Sequence, residues 1–382
     1  MTKMSYIKFE CEKVRSLCYD AFCKIGFSAE ESEIITDVLI LADLYGIKSH
    51  GTQRLARYHK GIVNKSINID AKPEIVFETP VSAVIDGHSG MGQLTAHYAM
   101  KLAIEKAKKV GMAMVSVRNS CHYGIAGYYS KMACDEGLIG ISTTNSDSIA
   151  VHTNSREALL GSNPIAFAMP ADPYPFWFDA ATTVVPRGKL EVYNKENKPM
   201  PEGWAIGSDG KVSSDAEHVL ECLFNKAGGG ILVMGGNTED MGSHKGYGYS
   251  MVCEILSAIT SFGCTSNHYA RIKGQGSTLC HSFTVIDPKI FGDADLMKKN
   301  LSTFLQELRD AKRADENIPI YTHGEKEIIC MNKMLKEGIP INISTVAEMI
   351  DLCNSVGLDS TKYLGDVDVT SAKVIDYDKI YK

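Results

Sequence analysis

Several groups of residues in this 382-residue chain have the types and spacing to do chemistry. The first is Ser49-His50-Gly51-x-x-Arg54-x-x-x-Tyr58. If a helix opens near Ser49, positions 50, 54 and 58 fall one turn apart on one face. That face carries an imidazole, a guanidinium and a phenol. An imidazole moves a proton near neutral pH. A guanidinium grips a carboxylate through paired hydrogen bonds. A 2-hydroxy or 2-keto acid calls for both. Arg57, His59 and Lys60 lie in the same stretch, so a merely solvated polar face fits the spacing as well.

Four further groups follow along the chain. His122 sits in a turn between a buried-strand pattern and a helical one, where α/β folds place ligand crevices; a turn histidine bonding to backbone is the plain alternative. In Phe176-Trp-Phe-Asp179-Ala-Ala-Thr182-Thr183 a carboxylate ends an aromatic strand. It has the chemistry to orient a histidine by accepting its ring N–H, or to serve as a helix cap or turn residue. Gly242-Ser-His-Lys245-Gly-Tyr-Gly248 precedes a helix and joins small residues, a lysine and a helix N-terminus, the makings of an anion cradle. Thr322-His-Gly-Glu325 leads into a late helix, and there a Thr N-cap is the plain reading.

The elements that must position these groups follow from periodicity. Ser28-x-x-Glu31 has the form of a capping box opening a helix to about Gly46. A second helix is predicted from near Ser49 past Ile62. Residues 73–86 read as strand. Gln93–Val110 reads as a helix stopped by Gly111, Met112–Val117 as a buried strand, 119–124 as a turn, Ile125–Glu136 as a helix and Leu138–Thr143 as a strand. Strands are predicted at Pro164–Met169, Phe176–Asp179, Gly230–Val233 and His281–Ile286, and a helix at Lys245–Thr260. The last 90 or so residues read as helical over 294–312, 325–336 and 345–355, the last opened by Thr345-x-x-Glu348. Alternating helices and strands mark an α/β core.

Composition narrows the function classes. Forty-four per cent of residues are apolar and 23% charged, an ordinary globular mix. The net charge of −6, with no block of Lys or Arg, lacks the electrostatic footprint of a nucleic-acid binder. No apolar run has the length of a membrane span or a signal peptide. Eleven cysteines, an odd number at irregular spacing without Cys-x-x-Cys, argue against a disulfide framework and a zinc ribbon, and point to reduced thiols in the cytoplasm. Gly-x-Gly-x-x-Gly, the Walker A loop, His-Glu-x-x-His and Gly-x-Ser-x-Gly are all absent. No ligand-spaced cluster supports a metal-dependent hydrolase, so no metal is expected.

In order along the chain, ADLYGIKSHGTQRLARY, VRNSCHYGIAGYY, GSNPIAFAMP, FDAATT, EGWAIGSDG, SHKGYGYSMVCEILSAI and HSFTVIDPKIFG resemble the malate/L-lactate dehydrogenase family, which lacks a Rossmann fold. The match runs from about Ala42 to Gly292, and the Gly-Glu at Gly324 extends it. The resemblance implies an L-sulfolactate dehydrogenase-like α/β fold: a largely antiparallel NAD(P)-binding sheet domain (81–294) beside a helical domain from both chain ends (1–80 with 295–382). It implies a homodimer and an NAD or NADP cofactor. It implies oxidoreduction of a small 2-hydroxy acid, L-malate and oxaloacetate first, with L-lactate, ureidoglycolate, sulfolactate, diketogulonate or piperideine-2-carboxylate as alternatives.

By the same resemblance, His50 or His122 is the acid/base. Arg54 holds the substrate carboxylate, with Ser49 and Tyr58 beside it, and Asp179 supports one histidine. Phe178, Asp179, Ala180, Ala181, Thr182, Ser243, His244, Lys245, His323, Gly324 and Glu325 line the cofactor. Three features depart from the family's pattern: Thr183 stands where Ser is usual, Tyr123 where Phe is usual, and a tail runs on past Lys362. A protein that binds the cofactor without catalysis is the competing reading of another class.

Overall fold

The computed structural model describes residues 6–195, 197–269, 274–372 and 374; Lys373 and residues 375–382 of the tail lie outside them. The fold is α/β. Its centre is a seven-stranded mixed sheet ordered Glu74–Glu78, Ser82–Asp86, Met112–Ser120, Leu279–Ile286, Ile139–Thr144, Ile165–Met169, Phe176–Ala180. Ser82–Asp86 and Met112–Ser120 run parallel, and the remaining neighbours are antiparallel. A parallel pair needs a crossover, supplied here by the helix Gly92–Val110. Ala96, Ala99, Ala103 and Ala107 give that helix a stripe of small side chains, all buried, that lets it lie close against Val115, Val117, Phe283 and Val285. Gly111 ends it at φ +95°, its N–H on the Ala107 carbonyl, as the sequence predicts.

The chain ends meet. Tyr6–Phe9 pairs antiparallel with Ile339–Asn342, and the helices Cys11–Ile25, Ala29–Leu44, Leu55–Val63 and Ile343–Val356 share one core with them. The capping box at Ser28 is complete, with both reciprocal hydrogen bonds formed. The helix Cys11–Ile25 is not among the sequence-based expectations. The predicted division at residue 80 falls inside the hairpin of Glu74–Glu78 and Ser82–Asp86, which belongs wholly to the central sheet. A four-stranded sheet (Ala205–Ile206, Gly230–Leu232, Ala150–Val151, Ala158–Leu160) with the helices Arg187–Lys195 and Ala216–Asn225 forms its own small core around Leu190, Val219 and Ile231. Only Gly230–Leu232 of it is legible in the sequence, because strands of two or three residues show no alternation.

Several boundaries differ from expectation. The helix expected from Ser49 is two 3₁₀ turns, Lys48–His50 and Thr52–Arg54, followed by Leu55–Val63. Gly51, at φ −85° and ψ −145°, breaks the path. The helix expected at Lys245–Thr260 runs from Ser243 to Glu254 and continues as a π-helical turn, Ile255–Ile259. Asn342, not Thr345, caps the helix Ile343–Val356 through the Ser344 N–H. The strand Met112–Ser120 extends into the predicted turn.

Candidate active site

Asp43, near the end of the helix Ala29–Leu44, builds the first wall. Its buried carboxylate accepts the Thr52 N–H at 2.8 Å and so anchors the 3₁₀ turns. Burial pushes its pKa up to about 6, against the pull of the Thr52 hydrogen bonds. Gly51 is required here: a Cβ would stand 1.9 Å from Asp43 Oδ1. The Arg54 Nε–H donates to the Ser49 carbonyl at 2.5 Å and closes the turn, which sets the guanidinium beside the imidazole of His50.

His50 and His122 come together face to face, ring centroids 5.3 Å apart and 22° from parallel. The Ser49 hydroxyl lies 2.9 Å from His50 Nδ1. Shielding from water, then the charges of Arg54 and Arg57, hold the His50 pKa down at about 3, so the ring is neutral at physiological pH. Tyr58 is buried behind the pair, its hydroxyl 2.8 Å from His122 Nδ1. Burial pushes that phenol up to about 12, so it keeps its proton. The expected grouping of His50, Arg54 and Tyr58 thus arises through His122 and a broken path, not through one helical stripe. Ser49, His50, Arg54 and His122 line a cleft of about 730 Å³. Its other walls include Arg57, Ser146, Asp147, Ser162 and Arg187. Ser146, Asp147 and Ser162 lie in loop segments and Arg187 opens the short helix Arg187–Lys195, none with a spacing signal in the sequence, and Arg57 reads there as part of a solvated face.

Asp179 departs from the expected histidine pairing. Its Oδ2 accepts the Gly127 N–H at 2.7 Å, at the start of the helix Ala126–Asp135, and burial pushes its pKa up to about 6. A carboxylate at a helix N-terminus is a favourable placement, and the capping alternative is the one realised.

The remaining predicted residues form a second region. The Thr182 N–H and hydroxyl both donate to the Ser162 carbonyl, at 2.9 and 3.1 Å, so Ser162 joins this region to the cleft. The Met234 N–H donates to the Thr182 carbonyl, and Gly246 packs so closely on Met234 that a Cβ would lie 2.1 Å from its oxygen. This sets Phe178–Thr182 near the helix opened by Ser243, His244 and Lys245. Gly242 precedes that helix in the left-handed conformation and offers no side-chain cap. The Ser243 hydroxyl bonds with Thr153, and His244 and Lys245 are exposed.

The His323 ring stands edge-on to Phe178, centroids 5.3 Å apart, and its carbonyl accepts the Trp177 N–H. Gly324, at φ +94°, is the residue before the late helix, so the expected Thr322 cap is not formed. Instead Glu325 Oε2 accepts the Thr322 N–H and the Arg309 Nε–H. Phe178–Thr182, Ser243–Lys245 and His323–Glu325 do not line the cleft that holds His50.

Sequence reasoning misses Glu254. Its buried carboxylate accepts from Asn145, Asn163 and the Ser266 N–H and hydroxyl, at 2.7 to 3.2 Å, and pins the helix from Ser243 just where it turns π-helical. Polar residues scattered between positions 145 and 266 give no local pattern.

The model of the malate/L-lactate dehydrogenase family matches residues 9–350. Malate dehydrogenase of Pyrococcus horikoshii is 42% identical over 355 residues, covering 93% of this chain and 97% of the relative. L-sulfolactate dehydrogenase of Methanocaldococcus jannaschii is 37% identical over 362 residues, covering 92% and 98%. The crystal structure of malate dehydrogenase from Entamoeba histolytica superposes with a TM-score of 0.90 at 37% identity, covering 93% of this chain and 99% of that one. The order of the motifs, the fold and these likenesses agree, and the chain belongs to the malate/L-lactate dehydrogenase family.

Proposed function

We propose that this protein is a nicotinamide-dependent oxidoreductase that interconverts L-malate and oxaloacetate. The observation that carries the reading is the stacked His50–His122 pair beside Arg54 in one cleft. A neutral histidine takes the hydroxyl proton in oxidation and returns it in reduction, a service worth roughly 10²–10⁴-fold. Both histidines line the cleft, within reach of a bound acid. Arg54 fixes the substrate carboxylate and so the face of C2 presented for reaction. Tyr58 holds His122 through Nδ1.

The residues present fit a nicotinamide dinucleotide. A helix N-terminus without a side-chain cap, with Lys245 in its first turn, suits a diphosphate. Phe178 and His323 offer an aromatic ledge, with Gly324 too tightly packed on Trp177 to carry a Cβ. When bound, the nicotinamide supplies the hydride acceptor or donor. The sheet, antiparallel but for one pair, supports a cofactor site of the non-Rossmann kind, and NAD is preferred over NADP. A homodimer is supported by the exposed apolar side chains of Tyr249, Val252, Ile255 and Ile259 along the helix and its π-helical end, and of Phe262 in the turn just beyond. A helical unit from both chain ends, meeting the sheet domain before Glu74, and a cytoplasmic setting for eleven free thiols complete the reading. No helix among the described residues is long and apolar enough to cross a membrane.

Oxidation of NADH and NADPH with a panel of 2-keto acids tests this. Oxaloacetate is expected to turn over fastest. Faster turnover of pyruvate or a cyclic imine reassigns the substrate, cofactor binding without turnover on any acid overturns the enzyme in favour of a cofactor-binding protein, and no turnover with no cofactor binding overturns both.

A further inference from the structure

The loop after His122 is held in an unusual way. The Tyr129 hydroxyl is fully buried and donates to the Tyr123 carbonyl at 2.6 Å. The other end of the same peptide, the Gly124 N–H, points at His122 Nδ1 at 3.4 Å. A peptide is planar, so fixing its carbonyl fixes the direction of its N–H. Gly124 sits at φ +89°, and a Cβ there would lie 2.4 Å from Val38 Cγ1, so no other residue fits the path.

Tyr129 is itself clamped. It stacks on Tyr123 at 4.8 Å, and Tyr123 stacks on His281 at 4.4 Å and 4° from parallel. His281 is held at both ring nitrogens, by Ser120 and by Thr144. Burial keeps the Tyr129 phenol protonated and therefore a donor.

We propose that Tyr129 is a positioning residue that sets the proton of His122 on Nε2, by holding the Tyr123–Gly124 peptide with its N–H against Nδ1. This rests on the reading of His122 as part of the reacting site. A backbone N–H only donates, so the nitrogen facing it must offer a lone pair. The Tyr58 hydroxyl, 2.8 Å from the same nitrogen, then donates as well, and the two donors share its one lone pair, Tyr58 at close range and the Gly124 N–H at longer range. In a neutral imidazole whose Nδ1 accepts, the proton sits on Nε2. His122 then presents an N–H on the side away from Tyr58. A keto oxygen accepts such a bond, so His122 in this state polarises the keto acid, and the neutral His50 stacked on it is the ring that takes the hydroxyl proton in oxidation.

The test is heteronuclear NMR of the full chain with isotope-labelled histidine, the His122 signals being assigned by their loss in His122→Gln. At neutral pH the wild-type ring is expected to carry its proton on Nε2 with Nδ1 bare. Tyr129→Phe is expected to mix the tautomers and lower kcat for keto-acid reduction about tenfold, the scale of one lost hydrogen bond, with KM little changed. Tyr123→Phe, which leaves the carbonyl lock intact, is expected to keep the wild-type tautomer. A proton on Nδ1 in the wild-type chain overturns the proposal without need of any variant. An unmixed tautomer in folded Tyr129→Phe overturns the role of Tyr129. The tautomer is read without turnover, so a failure of the oxidoreductase reading shows separately, as inactivity on every keto acid.

Discussion

Replacing Asp43 by Asn separates the two things that residue does: it anchors the 3₁₀ turns carrying His50 and Arg54, and it carries a charge away from water. Its pKa rises from an ordinary 3.8 to about 6 in the fold. That gap corresponds to about 3 kcal/mol, at about 1.4 kcal/mol per pKa unit. The sign follows from proton binding. Between those two values the folded chain holds the proton and the unfolded chain does not. The group's favourable contribution is therefore full below the unfolded pKa and lost as pH rises through about 6. At neutral pH the ionised carboxylate costs the fold most. Asn is uncharged, still accepts the Thr52 N–H, and occupies nearly the same space. Its hydrogen bond is weaker than the charged one, by about 1 kcal/mol. Asp43→Asn should then be more stable than wild type by about 1–2 kcal/mol at neutral pH. The advantage should vanish as pH falls towards 4. Equilibrium urea unfolding of both chains across that range measures the difference and cancels other buried carboxylates such as Asp179. A variant less stable than wild type by a constant amount at every pH would refute the reasoning.

Gly51→Ala should do the opposite of Asp43→Asn. A Cβ 1.9 Å from the carboxylate forces Asp43 off the Thr52 N–H, costing about 2–4 kcal/mol, and kcat/KM should fall about a hundredfold as His50 moves; an unfolding midpoint and kcat/KM equal to wild type would contradict this. Arg54→Lys keeps the charge but loses both the fork and the Nε anchor to Ser49, so kcat/KM for the acid should drop by about 1.5–3 kcal/mol, and steady-state kinetics matching wild type would place the carboxylate clamp elsewhere. Glu254→Ala strands donors from Asn145, Asn163 and Ser266, and thermal unfolding should report a loss of about 3–5 kcal/mol; a loss under 1 kcal/mol or so would show that water replaces the carboxylate.

The central sheet was legible because its longer strands, such as Met112–Ser120 and Leu279–Ile286, are runs of apolar residues bounded by turn signals. The helix Gly92–Val110 announces itself by its alanine stripe and its Gly111 stop. Residues 49–58 show where periodicity falls short. Their spacing suggests one helix, yet Gly51 breaks the path and the Asp43 carboxylate on the preceding helix anchors the 3₁₀ turns through the Thr52 N–H. Asp179 shows a related limit: the carboxylate was visible, but its partner is a backbone N–H, which no side-chain pattern reveals. Glu254 is the extreme case, four hydrogen bonds drawn from three separate segments. The His50–His122 contact bridges segments that only the fold brings together: the family resemblance named the two histidines as alternatives, and their stacking is visible in the structure alone.

The antiparallel pairing of Tyr6–Phe9 with Ile339–Asn342 bears on how the chain is made. Domains complete themselves as they leave the ribosome, the earliest-made first. Here Phe9, Val14, Leu17, Phe22, Ile35 and Leu39 share their core with Ile339, Ile341, Val346, Met349 and Leu352. The helices Cys11–Ile25 and Ala29–Leu44 therefore wait, their core incomplete, until the segment Ile339–Val356 has been translated. The central sheet closes in the interval, since its last strand ends at Ile286. Nascent chains stalled after Ile286 should engage chaperones through the helices Cys11–Ile25 and Ala29–Leu44, and should release them only when the stall point passes Val356.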